Sequence, residues 1–248
     1  MTIAAAIIAL NEQANLARLL PRLDWVDEIV VVDGGSRDAT AQIARHYGCR
    51  VAVRQFDTFA RQRNYALDLV RADWVLSIDA DERLTPRLVA EIRAATAPAT
   101  AVAFRVPIRS RIFRRPVRRS GTQDDRPIRL FRRDSARWTG EVHEVLQVDG
   151  RVGRLRAWLE HDTLPDLRSF LVKMDRYTTL EAQARVLAGR APRLVDRWLA
   201  PPREVFRRLL WKQGVLDGPA GWAFCALSGL SEWVLAEKHH RLWEARRG

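Results

Sequence analysis

A chain of 248 residues, 47% hydrophobic and 29% charged, is long enough to bury a sizeable core and too apolar to be disordered. Two cysteines, Cys49 and Cys225, exclude a disulfide framework or a cysteine zinc site and suit a reducing compartment. The formal charge of +12 rests on arginine, since Lys173, Lys212 and Lys238 are the only lysines; the bias favours anionic partners, although a GC-rich genome would produce it too.

Residues 3–10, "IAAAIIAL", read as a buried strand, followed by a helix over 14–20. "EIVVVD" (28–33) is a second strand. Ser36 is placed to cap a helix through "RDATAQIARHYG", which Gly48 ends. "RVAVR" (50–54) is a third strand, "FARQRNYALDLV" (59–70) a helix and "WVLSID" (74–79) a fourth strand. Thr85 followed by Pro86 signals the start of a helix running to about Ala95. Apolar strands alternating with amphipathic helices predict an α/β fold with a mostly parallel sheet covered on both faces. No stretch reaches the roughly 18 uncharged apolar residues a spanning helix needs. The N-terminus lacks the basic region and long apolar core of a signal peptide.

In such sheets the ligand crevice lies beyond the carboxyl ends of the strands. Asn11 and Glu12, Asp33, and Asp79 to Glu82 all stand at strand ends, far apart in sequence yet destined for one edge. In extended backbone Asp79 and Asp81 leave the same side of the chain, offering two hard oxygen ligands that suit Mg²⁺ or Mn²⁺. A solvated strand-to-helix turn is the alternative reading of the same residues.

Taken in order, "IALNEQANLARLL", "DEIVVVDGGSRDAT", "FARQRNYAL" and "WVLSIDADERLTPRL" resemble family 2 glycosyltransferases of the GT-A fold. Further on, "IRLFRR", "GEVHE" and "RYTTLEAQ" resemble the subgroup of lipopolysaccharide-core β-1,4-glucosyltransferases. The resemblance implies that Asn11 and Glu12 border the nucleotide and that Asp33 accepts hydrogen bonds from uracil or ribose. It also implies that Arg63 and Asn64 face the nucleotide, and that Asp79 and Asp81 bind a metal bridging the diphosphate. For Asp33 a simple turn with Gly34 and Gly35 stays open, and for Arg63 a surface salt bridge. By the same resemblance the general base falls on Asp125, with Asp124 competing because the aromatic neighbours of the subgroup's motif are missing. "GEVHE" holds His143, a reasonable third metal ligand or a structural hydrogen-bonding residue, with Glu141 and Glu144 beside it. His161 is expected to be structural.

Seven arginines in 105–120 form either a solvated edge hairpin or a patch for an anionic acceptor or lipid. After Pro165 the pattern becomes helical: 166–189, ending at Gly189, then 201–214 and 219–243, with Trp211, Trp222, Trp233 and Trp243 at ten- or eleven-residue intervals. Basic helices with tryptophan match interfacial membrane anchors, while packing on the protein's own core or in a homodimer is the alternative.

These readings predict a GT-A catalytic domain over 1–165, divided into a nucleotide-sugar half (1–104) and an acceptor half (105–165). A helical, membrane-docking region follows over 166–248. The expected reaction is inverting transfer from a nucleotide-sugar, a UDP-hexose, to a hydroxyl of a membrane glycolipid. The expected place is the cytoplasmic side of the inner membrane, with no specific nucleic-acid partner. Transfer to polyprenyl phosphate, and a non-catalytic binder of anionic membrane or nucleic acid, are the competing expectations.

Overall fold

The computed structural model describes residues 1–97, 100–122, 125–140 and 144–246. The first stretch alternates as β1 (Ile3–Ala9), α1 (Gln13–Leu19), β2 (Glu28–Asp33), α2 (Thr40–His46), β3 (Arg50–Val53) and α3 (Phe59–Leu69). Next come β4 (Trp74–Ser77), β5 (Glu82–Leu84), α4 (Pro86–Thr96), β6 (Ala103–Arg105), β7 (Ile108–Ile112) and β8 (Arg115–Pro116). Five strands follow: β9 (Ile128–Arg132), β10 (Ala136–Thr139), β11 (Val145–Val148), β12 (Val152–Arg154) and β13 (Leu159–Leu164). The chain then becomes helical, as α5 (Leu167–Leu187), α6 (Asp196–Phe206) and α7 (Gly218–Ala245).

The chain forms two compact units, residues 1–108 with 125–161, and residues 109–124 with 162–248. The first is built on a seven-stranded sheet of order β12-β6-β9-β4-β1-β2-β3. Its pairs are parallel except those of β9, which runs antiparallel to both β4 and β6. Every residue of β1 but Ile8 is buried, as a central strand covered on both faces requires. The two-residue period of the strand divides it: Ile3, Ala5 and Ile7 join Leu16, Leu19, Leu88 and Ile92 from α1 and α4. Ala4 and Ala6 join Ala66 and Leu67 of α3 and Phe131 of β9. This is the mostly parallel, helix-flanked sheet expected from the sequence.

The second unit has a smaller core, in which Ile112, Val117 and Leu164 meet Phe170 of α5 and Ala220 of α7. A Cβ at Gly229 of α7 would lie 2.5 Å from Val205 and 3.2 Å from the Pro201 carbonyl, so only glycine lets α6 approach this closely. The arginine-rich segment 109–124, read from the sequence as part of the first domain, clusters with the helices. Asp217 accepts hydrogen bonds from the Arg118 and Arg119 amides and from Ser120 Oγ, joining positions almost a hundred residues apart.

Three local expectations need correction. Helix α2 starts at Thr40 without a side-chain cap, because Ser36 Oγ is taken by the Asp33 carboxylate and by the Asn11 amide. Strand β4 ends at Ser77, and 79–82 is a turn closed by the Glu82 N–H on the Asp79 carbonyl at 3.0 Å, not extended backbone. Helix α6 starts at Asp196 and contains Pro201 and Pro202. The Val195 carbonyl accepts from the Trp198 and Leu199 amides, so the first turn closes upstream of the prolines, which remove only later donors.

Candidate active site

Parallel registry brings the polar strand ends of the first unit to one edge. Ala9 of β1 pairs with Asp33 of β2, and Ala6 with Ser77 of β4. Beyond β1 and β2 the two loops are stitched together. Asp33, 2% exposed, accepts hydrogen bonds from the Ser36 amide and hydroxyl. Asn11, in the left-handed region at φ 57°, accepts from the Arg37 amide at 2.9 Å. The Glu12 amide donates to Thr40 Oγ1, and its carboxylate accepts from Asn15.

The densest charge cluster lies past β4. Thr58 caps α3, accepting from the Arg61 amide, and this helix carries Arg63 to the sheet edge. Arg63 is only 8% exposed, which rules out a surface salt bridge. Its guanidinium donates to Asp79 Oδ1 at 2.8 Å and to Ser77 Oγ at 3.2 Å, and it stacks over the Trp138 ring at 5.0 Å. Glu144 lies 3.6 Å from its Nε, which makes no hydrogen bond among the described residues. The other oxygen of Asp79 accepts from Arg129 Nη2 at 2.8 Å, and the same nitrogen reaches the fully buried Glu82. Asp79, expected beside Asp81 as a metal ligand, thus has both oxygens on arginines.

Ionisation follows from this arrangement. Burial opposes the charge on Asp79, but Arg129 and Arg63 outweigh it and hold its carboxyl well below the usual range. Glu82 is pushed up to about 7 by burial, which Arg129 offsets only in part while Asp79 adds to it. Burial lowers Arg129, yet Asp79 and Glu82 together leave it above its ordinary value. His161, expected to be structural, lies 3.2 Å from Asp81 Oδ2. Burial lowers its imidazole, and the hydrogen bond to Asp81 with the nearby carboxylate charges raises it overall.

The remaining predicted residues fall in different places. Asn64 spends its amide on the main chain of β10, donating to the Trp138 carbonyl at 2.8 Å and accepting from the Trp138 amide at 3.0 Å. Asp125 is exposed three residues before β9, its carbonyl accepting from the Ile108 amide. His143, Glu141 and Asp124 lie outside the described residues. No group of three or more His, Cys, Asp or Glu side chains among the described residues is arranged to hold a metal. Asp81 and His161 supply one carboxylate oxygen and one imidazole nitrogen side by side. That donor set fits a Mg²⁺ or Mn²⁺ ion that completes its shell with water and phosphate oxygens. Sequence reasoning did not single out Arg129 or the contact with His161. An arginine inside the apolar strand "IRLF" was the available signal, since a buried charge requires a partner.

At the carboxyl edge of this sheet Arg63 and Arg129 are thus paired with the carboxylates of Asp79 and Glu82. The glycosyl transferase family 2 model matches residues 5–157. The chain belongs to this family. This glycosyltransferase is 32% identical over 230 residues to the lipopolysaccharide core biosynthesis glycosyltransferase LpsC of Rhizobium meliloti, covering 87% of the chain and 84% of that protein. It is also 32% identical over 226 residues to a TPR repeat-containing protein of Synechococcus elongatus, covering 83% of the chain and 52% of that protein. Among solved structures, mannosyl-3-phosphoglycerate synthase from Rubrobacter xylanophilus shares the fold. Its TM-score is 0.52 at 18% identity, over 78% of this chain and 77% of that one.

Proposed function

We propose that this glycosyltransferase moves a hexose from a UDP-sugar to a hydroxyl of a membrane glycolipid of the lipopolysaccharide-core type, with inversion in a single displacement. One observation carries the reading: Asp33, Arg63, Asp79, Asp81 and His161 gather where β1, β2 and β4 end, the edge at which α/β sheets bind ligands. The identity with LpsC supports the acceptor class.

In this account the stitched loops of Asn11, Glu12 and Asp33 frame the base and ribose. Arg63, anchored by Asp79, presents positive charge towards the diphosphate, and Asn64 holds Trp138 against it. Asp81 and His161 would hold a divalent ion, whose Lewis acidity offsets the charge of the departing diphosphate. Asp125 takes the proton of the acceptor hydroxyl. A carboxylate can serve as the acceptor for the proton that must leave as the new bond forms.

The second unit supplies the membrane contact. It holds 21 basic and 11 acidic residues, a net +10 of the chain's +12. No helix among the described residues is long and apolar enough to cross a membrane. Instead α6 buries Ala200 and turns Trp198, Leu199 and Phe206 outward, each more than half exposed, with Val195 half exposed just before it. Exposed tryptophan beside arginine suits a peripheral protein on the anionic inner face of the cytoplasmic membrane.

The test is product formation from a panel of labelled nucleotide-sugars on truncated lipopolysaccharide-core acceptors. We expect transfer from one UDP-hexose and a drop of about 10²–10⁴-fold in Asp125→Asn. Transfer that survives this substitution within threefold would point to an acceptor oxygen that needs no base, such as a lipid phosphate.

A further inference from the structure

The turn that carries Asp79 and Asp81 is closed by a residue from a distant strand. The Asp79 amide donates to Glu82 Oε2 at 2.9 Å, and the Glu82 amide donates back to the Asp79 carbonyl at 3.0 Å. Arg129 Nη2 then bridges the free ends of both side chains, on Glu82 Oε1 and Asp79 Oδ2. The result is a hydrogen-bonded ring running Asp79 amide, Glu82 carboxylate, Arg129, Asp79 carboxylate. Antiparallel pairing of Leu76 with Leu130 sets Arg129 one step on, beside the end of β4. Pairing of Glu82 with His161 in β5 and β13 brings His161 to the same turn.

This is an expensive arrangement. Glu82 is 0% and Arg129 7% exposed, and Arg129 Nε is buried with no hydrogen bond among the described residues. Buried ion pairs are often matched or bettered in stability by apolar residues of similar volume, so stability alone is a weak reason for one. What the ring does fix is geometry. It holds the 79–82 backbone in one conformation, sets the Asp79 carboxylate against Arg63, and leaves Asp81 directed at His161.

We propose that Arg129, with Glu82, is a positioning residue for sugar transfer: it acts through Asp79 and the 79–82 turn and does not touch the donor. The proposal rests on the reading that the donor binds at this turn.

The experiment compares wild type with Arg129→Met and with the double variant Arg129→Met/Glu82→Leu. The single variant strands a buried carboxylate and is expected to unfold early. The double variant removes both charges and is expected to melt near wild type. Hydrogen exchange at the 79 and 82 amides should nevertheless quicken at least tenfold in the double variant, and kcat should fall at least thirtyfold. Exchange that stays at the wild-type rate, or turnover within threefold of wild type at equal stability, would overturn the assignment. Wild-type protein that turns over no donor would sink the donor reading instead, and the exchange result would then judge the turn by itself. Should the double variant fail to fold, Arg129→Lys is compared with Arg129→Gln. One nitrogen makes both contacts in the native ring, so lysine should retain at least ten times the turnover of glutamine. Equal loss in the two would overturn the assignment.

Discussion

Arg63 and Arg129 of the first unit are under a tenth exposed and bonded to carboxylates, whereas Arg114, Arg115 and Arg118 of the second stand exposed on and beside the β7–β8 hairpin. Apolar side chains divide in the opposite sense. Of the 24 large hydrophobic residues exposed among those described, 18 belong to the second unit, so its surface is both the more basic and the more apolar. The first unit hides charge in order to shape a polar site. The second displays charge and hydrocarbon together, which a water-facing surface does not need and an anionic lipid surface would use. One residue type therefore serves two ends, and burial with a partner carboxylate distinguishes them.

The largest stability effect is expected from Asp79→Ala, which leaves Arg63 and Arg129 facing each other across a vacated carboxylate. Loss of one partner from such a buried cluster costs roughly 3–5 kcal/mol, read as a lowered urea midpoint. Arg115→Ala, an exposed hairpin arginine, should move the same midpoint by less than about 0.5 kcal/mol. Equal effects would erase the distinction drawn between the units.

Trp198 and Trp211 are 74% and 81% exposed. Replacing both with alanine should weaken sedimentation with phosphatidylglycerol vesicles about tenfold or more, since each insertion is worth roughly 1.5–3 kcal/mol of apolar burial. The urea midpoint should hardly move. Vesicle binding that is unchanged would leave the apolar surface of α6 for a protein partner or a second copy. A smaller loss than at Asp79 is expected at Thr58, whose hydroxyl caps α3; Thr58→Ala should cost about 1 kcal/mol and lower turnover only through the placement of Arg63.

Much of the first unit was legible in the sequence because its signals are local. The span 28–33 matches β2 residue for residue, and Thr85-Pro86 opens α4 with Thr85 Oγ1 accepting from the Leu88 amide. Ser36 misled because two oxygens competed for one loop. The sequence offered it as a helix cap, while the nearer carboxylate of Asp33 took its hydroxyl. The sequence put Asp79 at the end of an extended fourth strand, whereas the strand stops at Ser77 and Asp79 and Asp81 lie in a turn whose partners were hidden. Arg129 lies 50 residues from Asp79, and His161 lies 80 from Asp81, brought there only by antiparallel pairing. The same reason hid the membership of 109–124, which depends on Asp217 gripping amides almost a hundred residues earlier.

Donor and metal binding at this turn can be read by thermal unfolding with a panel of nucleotides and nucleotide-sugars, run with Mn²⁺, with Mg²⁺ and with EDTA, on wild type and Asp81→Ala. A ligand at 100 times its Kd adds about 2.7 kcal/mol, an easily read shift in Tm. A donor site at this turn requires metal-dependent stabilisation by UDP and by one UDP-hexose, abolished by EDTA and by Asp81→Ala. A wild-type midpoint that no nucleotide moves, with or without metal, would contradict it.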